Sequence, residues 1–115
     1  NASPQLLYQY ISTPAGLASW YADDVRANEE IYTFVWNGVE EAAQILRKKL
    51  DDHIRFHWED DNDASTYFEI KINVNDMTQE VSLIITDFAL PNEIEEAKQL
   101  WELQINDLKA KIGAS

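Results

Sequence analysis

The chain has 115 residues, 9 basic and 21 acidic side chains, a net charge of −12, 45% hydrophobic residues and no cysteine. That length and apolar content predict one folded unit with a modest core rather than a disordered chain. The acidic balance argues against nucleic acids and anionic membrane surfaces, and the lack of cysteine excludes disulfides, thiolate metal centres and cysteine nucleophiles.

The single basic knot, Arg47-Lys48-Lys49, is followed at once by Asp51-Asp52. No apolar run nears the ~20 residues that span a bilayer, and no basic-plus-apolar leader is visible, so a cytoplasmic location without membrane insertion is expected. Asn1-Ala2-Ser3 matches a glycosylation sequon, a pattern short enough to arise by chance.

In chain order, Ser3-Pro4 and Thr13-Pro14 repeat one signal. Each places a hydroxyl where it can accept from orphan N–H groups, followed by a proline suited to the first helical position. They predict two short helices, over about Pro4–Ile11 and Ala15–Tyr21. Glu30–Trp36 is mostly β-branched or aromatic and predicts a strand, and Asn37-Gly38 predicts a tight hairpin turn. Val39–Leu50 is ambiguous. Its Glu-, Ala- and Lys-rich composition favours helix, while its place between a turn and a strand suggests the second arm of a hairpin.

Ile54, Phe56 and Trp58 alternate strictly, so His53, Arg55, His57 and Glu59 share the opposite face of a strand. Asp60-Asp61-Asn62-Asp63 supplies the next connection. Tyr67–Asn75 predicts a strand with Phe68, Ile70, Ile72 and Val74 on one face. Glu80–Phe88 predicts another, apolar on both faces at Leu83-Ile84-Ile85, as suits a central strand, a bulge or one wall of a cavity. A long helix is predicted over Asn92–Ile112, with Asn92 as its cap. Ile94, Ala97, Trp101, Ile105, Leu108 and Ile112 form its apolar stripe, which Leu100 and Leu103 widen.

The histidines invite a metal reading that the spacing opposes. Four residues along a strand separate them by about 13 Å, far too much for one ion with bonds of roughly 2 Å. No metal site is expected, and the His53–Glu59 face is expected to be solvated. The acid runs Asp23-Asp24 and Asp60–Asp63 read as caps, turns and solubility features, since neither has the ligand alternation of a calcium loop. No serine–histidine–acid arrangement, glycine-rich phosphate loop or HExxH motif is legible. Thr86 and Asp87 are the one polar pair worth inspecting, with a strand-end turn as the plain account. No catalytic residue and no cofactor is therefore assigned.

The stretches Ile11–Val25, Phe34–Gly38, Ile54–Asp60, Glu80–Phe88 and Leu100–Leu108 carry a resemblance over nearly the whole chain. The sequence resembles the START-like (helix-grip, SRPBCC-type) superfamily, in the branch related to the Hsp90-ATPase activator homologue domain, and is similar to Bacteroidetes START-like proteins. The resemblance implies an α+β helix-grip fold over 1–115. In such a fold two short helices precede a curved antiparallel sheet wrapped around a long C-terminal helix. It also implies that Val39–Leu50 is a strand, and that a first strand would precede the Ser3-Pro4 helix, where this chain opens.

A cavity between sheet and helix follows from the same resemblance. Its expected lining is Trp20, Phe34, Trp36, Phe56, Trp58, Phe68, Phe88, Trp101 and Ile105, with small side chains at Ala42, Ala43 and Ala97 leaving room. The plain account of each aromatic is ordinary core. Non-enzymatic binding of a small hydrophobic or amphipathic ligand is the leading expectation. A co-chaperone-like or adaptor role is the second, through a protein partner or a homodimer formed at an open sheet edge. A cyclase or hydrolase acting on a hydrophobic substrate is the third. The resemblance chooses none of them, because one fold hosts many activities.

Overall fold

The computed structural model describes residues 2–113. It contains helices α1 (Pro4–Ser12) and α2 (Pro14–Ala18), then strands β1 (Asp24–Asn28), β2 (Ile31–Trp36), β3 (Val39–Lys49), β4 (His53–Trp58), β5 (Phe68–Val74) and β6 (Val81–Thr86). A single 3-10 turn at Pro91–Glu93 leads into the long helix α3 (Ile94–Gly113). Asn1 of the sequon lies outside the described residues.

Both N-terminal caps form as the Ser-Pro and Thr-Pro pairs predict. Ser3 Oγ accepts from the Leu6 N–H at 3.1 Å, and Thr13 Oγ1 accepts from the Gly16 N–H at 2.9 Å. Thr13 also donates to the Gln9 carbonyl at 2.7 Å, so one side chain ends α1 and starts α2. The close corner that results admits only glycine at position 16. A Cβ there would lie 2.1 Å from the Gln9 carbonyl oxygen and 2.7 Å from the Tyr10 Cα. The second helix is shorter than predicted. Trp20 and Tyr21 fall in the turn after it, where their rings swing into the core instead of following a helix face.

The six strands form one antiparallel sheet in sequential order, β1 to β6. Strand β1 carries no apolar alternation beyond Val25 and was not legible in the sequence. It is defined by pairing, with Val25 opposite Phe34 and Ala27 opposite Tyr32. Asp23, expected to cap or solubilise, instead accepts the Asn37 N–H at 2.8 Å and braces the β2–β3 turn. That turn has positive φ at both Asn37 (51°) and Gly38 (81°), the type I′ geometry that suits strand twist.

Val39–Lys49 is a strand despite its helix-forming composition. Ala43 explains the choice, since it is opposite Tyr32 on one side and Trp58 on the other and is fully buried between them. A small side chain there leaves room for two aromatic neighbours, and packing across the sheet outweighs local propensity. The register with β4 shifts between Ile45 and Arg47, a bulge that adds local twist. Strands β4, β5 and β6 follow the predicted hairpins.

α3 lies against the concave face of the curved sheet, and its 20 residues reach about 30 Å. Asn92 does not cap it. Leu90 occupies the cap position of the 3-10 turn, with no side-chain hydrogen bond. Among the described residues no helix is long and apolar enough to cross a membrane.

Candidate functional site

The aromatic residues divide into a closed set and an open set. Phe34, Phe56 and Phe68, from β2, β4 and β5, are completely buried. Their centroids lie 5.6 Å (Phe34–Phe56) and 5.0 Å (Phe56–Phe68) apart, and Trp58 stacks on Phe68 at 5.0 Å. Trp36 stacks on Phe34 at 5.8 Å and donates its indole N–H to the Tyr21 carbonyl at 2.9 Å. These five rings fill the concave face against one another, and none lines the hollows described below.

Tyr21 joins this cluster to α3. Its ring packs edge-on against Phe34 and Trp36 and stacks on Trp101 at 5.4 Å with an interplanar angle of 15°. Its carbonyl also accepts from Gln104 Nε2 at 3.3 Å, a second tie to the helix. Burial, reinforced by the charges of Asp87 and Glu41, pushes the Tyr21 phenol well above its ordinary range, so it stays neutral.

The open set lies between β6 and α3. A groove of about 670 Å³ is lined there by Ile85, Phe88, Ile94, Ala97, Trp101 and Ile105, with Asp87, Lys98, Glu102 and Lys109 among its polar members. Phe88 remains 52% exposed, so the groove is open to solvent along one side. The Trp101 indole N–H donates to Asp87 Oδ2 at 2.9 Å, while Asp87 Oδ1 accepts from the Phe88 N–H at 2.7 Å. One carboxylate thus fixes both the end of β6 and the rotamer of the central tryptophan.

A second hollow of about 790 Å³ lies under the α2–β1 connection, lined by Trp20 and Tyr21 but also by Ser19, Asp23, Asp107 and Lys111. It is larger and more polar. Trp20 is already committed there, its N–H donating to the Tyr10 carbonyl at 2.8 Å. The groove at Trp101 is the better place for an apolar group.

Of the nine residues named from the sequence, Phe88, Trp101 and Ile105 come together at this groove, and Trp20 lines the other hollow. Phe34, Trp36, Phe56, Trp58 and Phe68 belong to the packed cluster. Ala97 lines the groove as its size suggested, whereas Ala43 is consumed by packing. Tyr21, Asp87, Lys98 and Lys109 were not assigned to a site. Asp87 follows a strand and precedes an aromatic, a pattern that local reading assigns to a turn. Its role appears only when Trp101, 14 residues later, folds back onto it.

The outer face of β4 differs from the solvated surface expected of it. His53 is largely covered, and its Nδ1 is 2.5 Å from Asp52 Oδ2. His57 Nδ1 is 2.9 Å from the Thr66 carbonyl, and Arg55 pairs with Glu69 at 3.1 Å while lying 3.9 Å over the Tyr67 ring. His53 Nε2 is buried without a hydrogen-bond partner among the described residues. The hydrogen bond with His53, aided by Lys71 and Lys49, holds the Asp52 carboxyl below the usual carboxylate range. No group of three or more His, Asp or Glu side chains among the described residues is placed to hold a metal ion. The Asp60–Asp63 run orders its own loop, with Asp61 accepting from Asp63 N–H and Thr66 Oγ1, and Asp63 accepting from Ser65.

A family model for the START-like superfamily domain matches residues 1–114. The chain belongs to the START-like superfamily. Among solved structures, a Bacteroides fragilis protein is 38% identical, with 94% of this chain and 80% of that one covered and a TM-score of 0.65. The Aha1 dimer of Colwellia psychrerythraea is 16% identical, with coverage of 95% and 87% and a TM-score of 0.75. A Staphylococcus saprophyticus protein is 12% identical, with coverage of 97% and 84% and a TM-score of 0.77. The last two likenesses establish shared fold alone. No curated protein matches the chain.

Proposed function

We propose that this START-like chain is a non-enzymatic binding protein whose groove between β6 and α3 takes a small hydrophobic or amphipathic ligand. The observation that carries the reading is the groove itself. About 670 Å³ of mainly apolar wall surrounds the Trp101–Asp87 pair, and a half-exposed Phe88 stands at its mouth. This volume lies within the ~300–1,000 Å³ range of small-molecule sites, and a few fixed polar groups in an apolar lining are what orient an amphipathic ligand. The ligand would lie beside the aromatic cluster rather than inside it, because the five packed rings leave it no room.

The amphipathic fluorophore 1-anilinonaphthalene-8-sulfonate, competed with dodecanoate, tests the assignment. Saturable one-to-one binding is expected, with affinity at least fivefold weaker in Phe88→Ser and unchanged in the control Leu46→Ser, whose side chain is exposed on β3 away from the groove. Absence of saturable binding, or equal loss in both variants, would overturn it.

A protein-binding role as co-chaperone or adaptor is the second reading. It is favoured by apolar side chains on the outer side of α3, where Leu100 and Leu103 are 56% and 64% exposed. A catalytic role has weaker support, since Asp87 at the groove already accepts from Trp101 and the Phe88 amide.

A further inference from the structure

The convex face of the sheet gathers cations in a chain that is short of them. Across β3, β4 and β5, directly opposed residues form two rows on that face. Arg47 is opposite Arg55, which is opposite Glu69, and Lys49 is opposite His53, which is opposite Lys71. Four of the nine lysines and arginines thus stand within three strands. The acids paired with them are Glu69, 3.1 Å from Arg55, and Asp52, 3.9 Å from Lys71 and also engaged by His53. The patch keeps a positive balance although the chain as a whole carries −12.

Stability alone does not account for this arrangement. Like charges directly opposite each other on paired strands are destabilising, and Arg47 meets Arg55 in that way beside the β3 bulge. Arg55 is relieved by Glu69 and by the Tyr67 ring, which it covers at 3.9 Å. Arg47 is exposed and has no ion pair among the described residues, and the same holds for Lys49. Lys49 attracts Asp52 from farther away, but that carboxylate already serves His53 and Lys71. Places where a local rule is broken without compensation are characteristic of functional surfaces. A carboxylate arriving from outside supplies the compensation.

We propose that the convex face of β3–β5 docks a short, extended acidic segment of a partner protein, with carboxylates on alternate residues. Spacing selects the form. Side chains on one face of a strand repeat about every 7 Å, and Arg47 and Lys49 are two residues apart on β3. An extended peptide laid along β3 and β4 presents every second side chain at that same repeat. One carboxylate then meets Arg47, whose free guanidinium offers a fork of N–H donors suited to it. The next carboxylate meets Lys49.

Charge selects the length. Exposed charges more than about 8 Å apart are largely screened at physiological salt, so a segment of a few residues feels mainly the patch. A nucleic acid, or a second copy of the chain, extends past the patch and meets the acidic surface around it. The docking face is also separate from the groove at Trp101, which lies on the other side of the sheet against α3. Neither site needs the other.

Fluorescence anisotropy with a short labelled peptide of alternating glutamate and serine tests the docking. Saturable one-to-one binding is expected, at least tenfold weaker in about 500 mM than in about 50 mM sodium chloride. Arg47→Glu and Lys49→Glu should each weaken it at least tenfold. Lys111→Glu, which changes the net charge equally at the C-terminal end of α3, should leave it within twofold. Arg47→Glu sets a carboxylate opposite Arg55, so its urea midpoint should not fall, and the lost binding then reports the site rather than the fold.

Absence of saturable binding would overturn the proposal, as would an equal loss in Lys111→Glu, which would reduce the effect to net charge. A peptide of the same composition with its glutamates in one block should bind at least threefold more weakly, and equal binding would overturn the alternating match. Tighter, Arg47-dependent binding of a deoxythymidine decamer would overturn it in favour of a nucleic acid. The groove reading stands or falls separately, because Arg47→Glu should leave 1-anilinonaphthalene-8-sulfonate binding unchanged.

Discussion

The two sides of Tyr21 show how one aromatic-rich sequence makes two different environments. Toward the sheet, Phe34, Phe56 and Phe68 are completely buried and ring packs on ring. Toward α3, Leu108 is the one fully buried residue of the helix, while Trp101 and Ile105 are only partly covered and Phe88 is half-exposed. Strand pairing brings inward side chains from neighbouring strands to about 5 Å of each other and leaves little room for a guest. A helix laid across a curved sheet has no such fixed spacing. At β6, the outer strand among the described residues, the apolar stripe of the helix outruns its cover.

The largest expected effect breaks the closed side. Phe56→Ala deletes a ring in contact with Tyr32, Phe34 and Phe68. Denaturant unfolding should show a loss of about 3–5 kcal/mol, a large part of the stability of a small domain. Trp101→Phe probes the boundary between the two sides. It retains an aromatic ring against Tyr21 and Phe68 and removes the N–H that Asp87 accepts. Stability should fall by about 1 kcal/mol, since this hydrogen bond is solvent-exposed, while probe binding at the groove weakens because both Trp101 and Asp87 lose their fixed orientation.

The smallest effect lies outside both regions and is seen in pH dependence. The Asp52 carboxyl titrates below its unfolded value, so the unfolded chain binds more protons in that range. Its contribution is fully present above about pH 4, near the unfolded value, and is lost as the pH falls through the lower folded value. Asp52→Asn should flatten the acid limb of a stability–pH curve below about pH 4 and leave groove binding unchanged.

Much of this architecture is legible because it rests on local rules. Ser3-Pro4, Thr13-Pro14 and Asn37-Gly38 act through backbone geometry within a few residues, and the alternation of Ile54, Phe56 and Trp58 fixes which side of β4 is buried. Strand β1 was not legible, because Asp24-Val25-Arg26-Ala27-Asn28 has a single buried side chain and exists through pairing with β2. The covered state of His53 was hidden for a related reason. Period-two reading assigns a face, but the partners on that face, Asp52 and Lys71, come from a turn and from another strand.

By itself the sequence determined the order of the two short helices, of strands β2, β4, β5 and β6 and of the long helix, together with the hairpin turn, the concave aromatic face and the apolar stripe of the last helix. All of these depend on residue type and spacing along the chain. Tertiary structure alone decided which aromatics pack shut and which line an open groove. It also made Asp87 the anchor of Trp101. Those outcomes depend on where a helix crosses a sheet, which is set by contacts between residues far apart in the chain that no local pattern encodes.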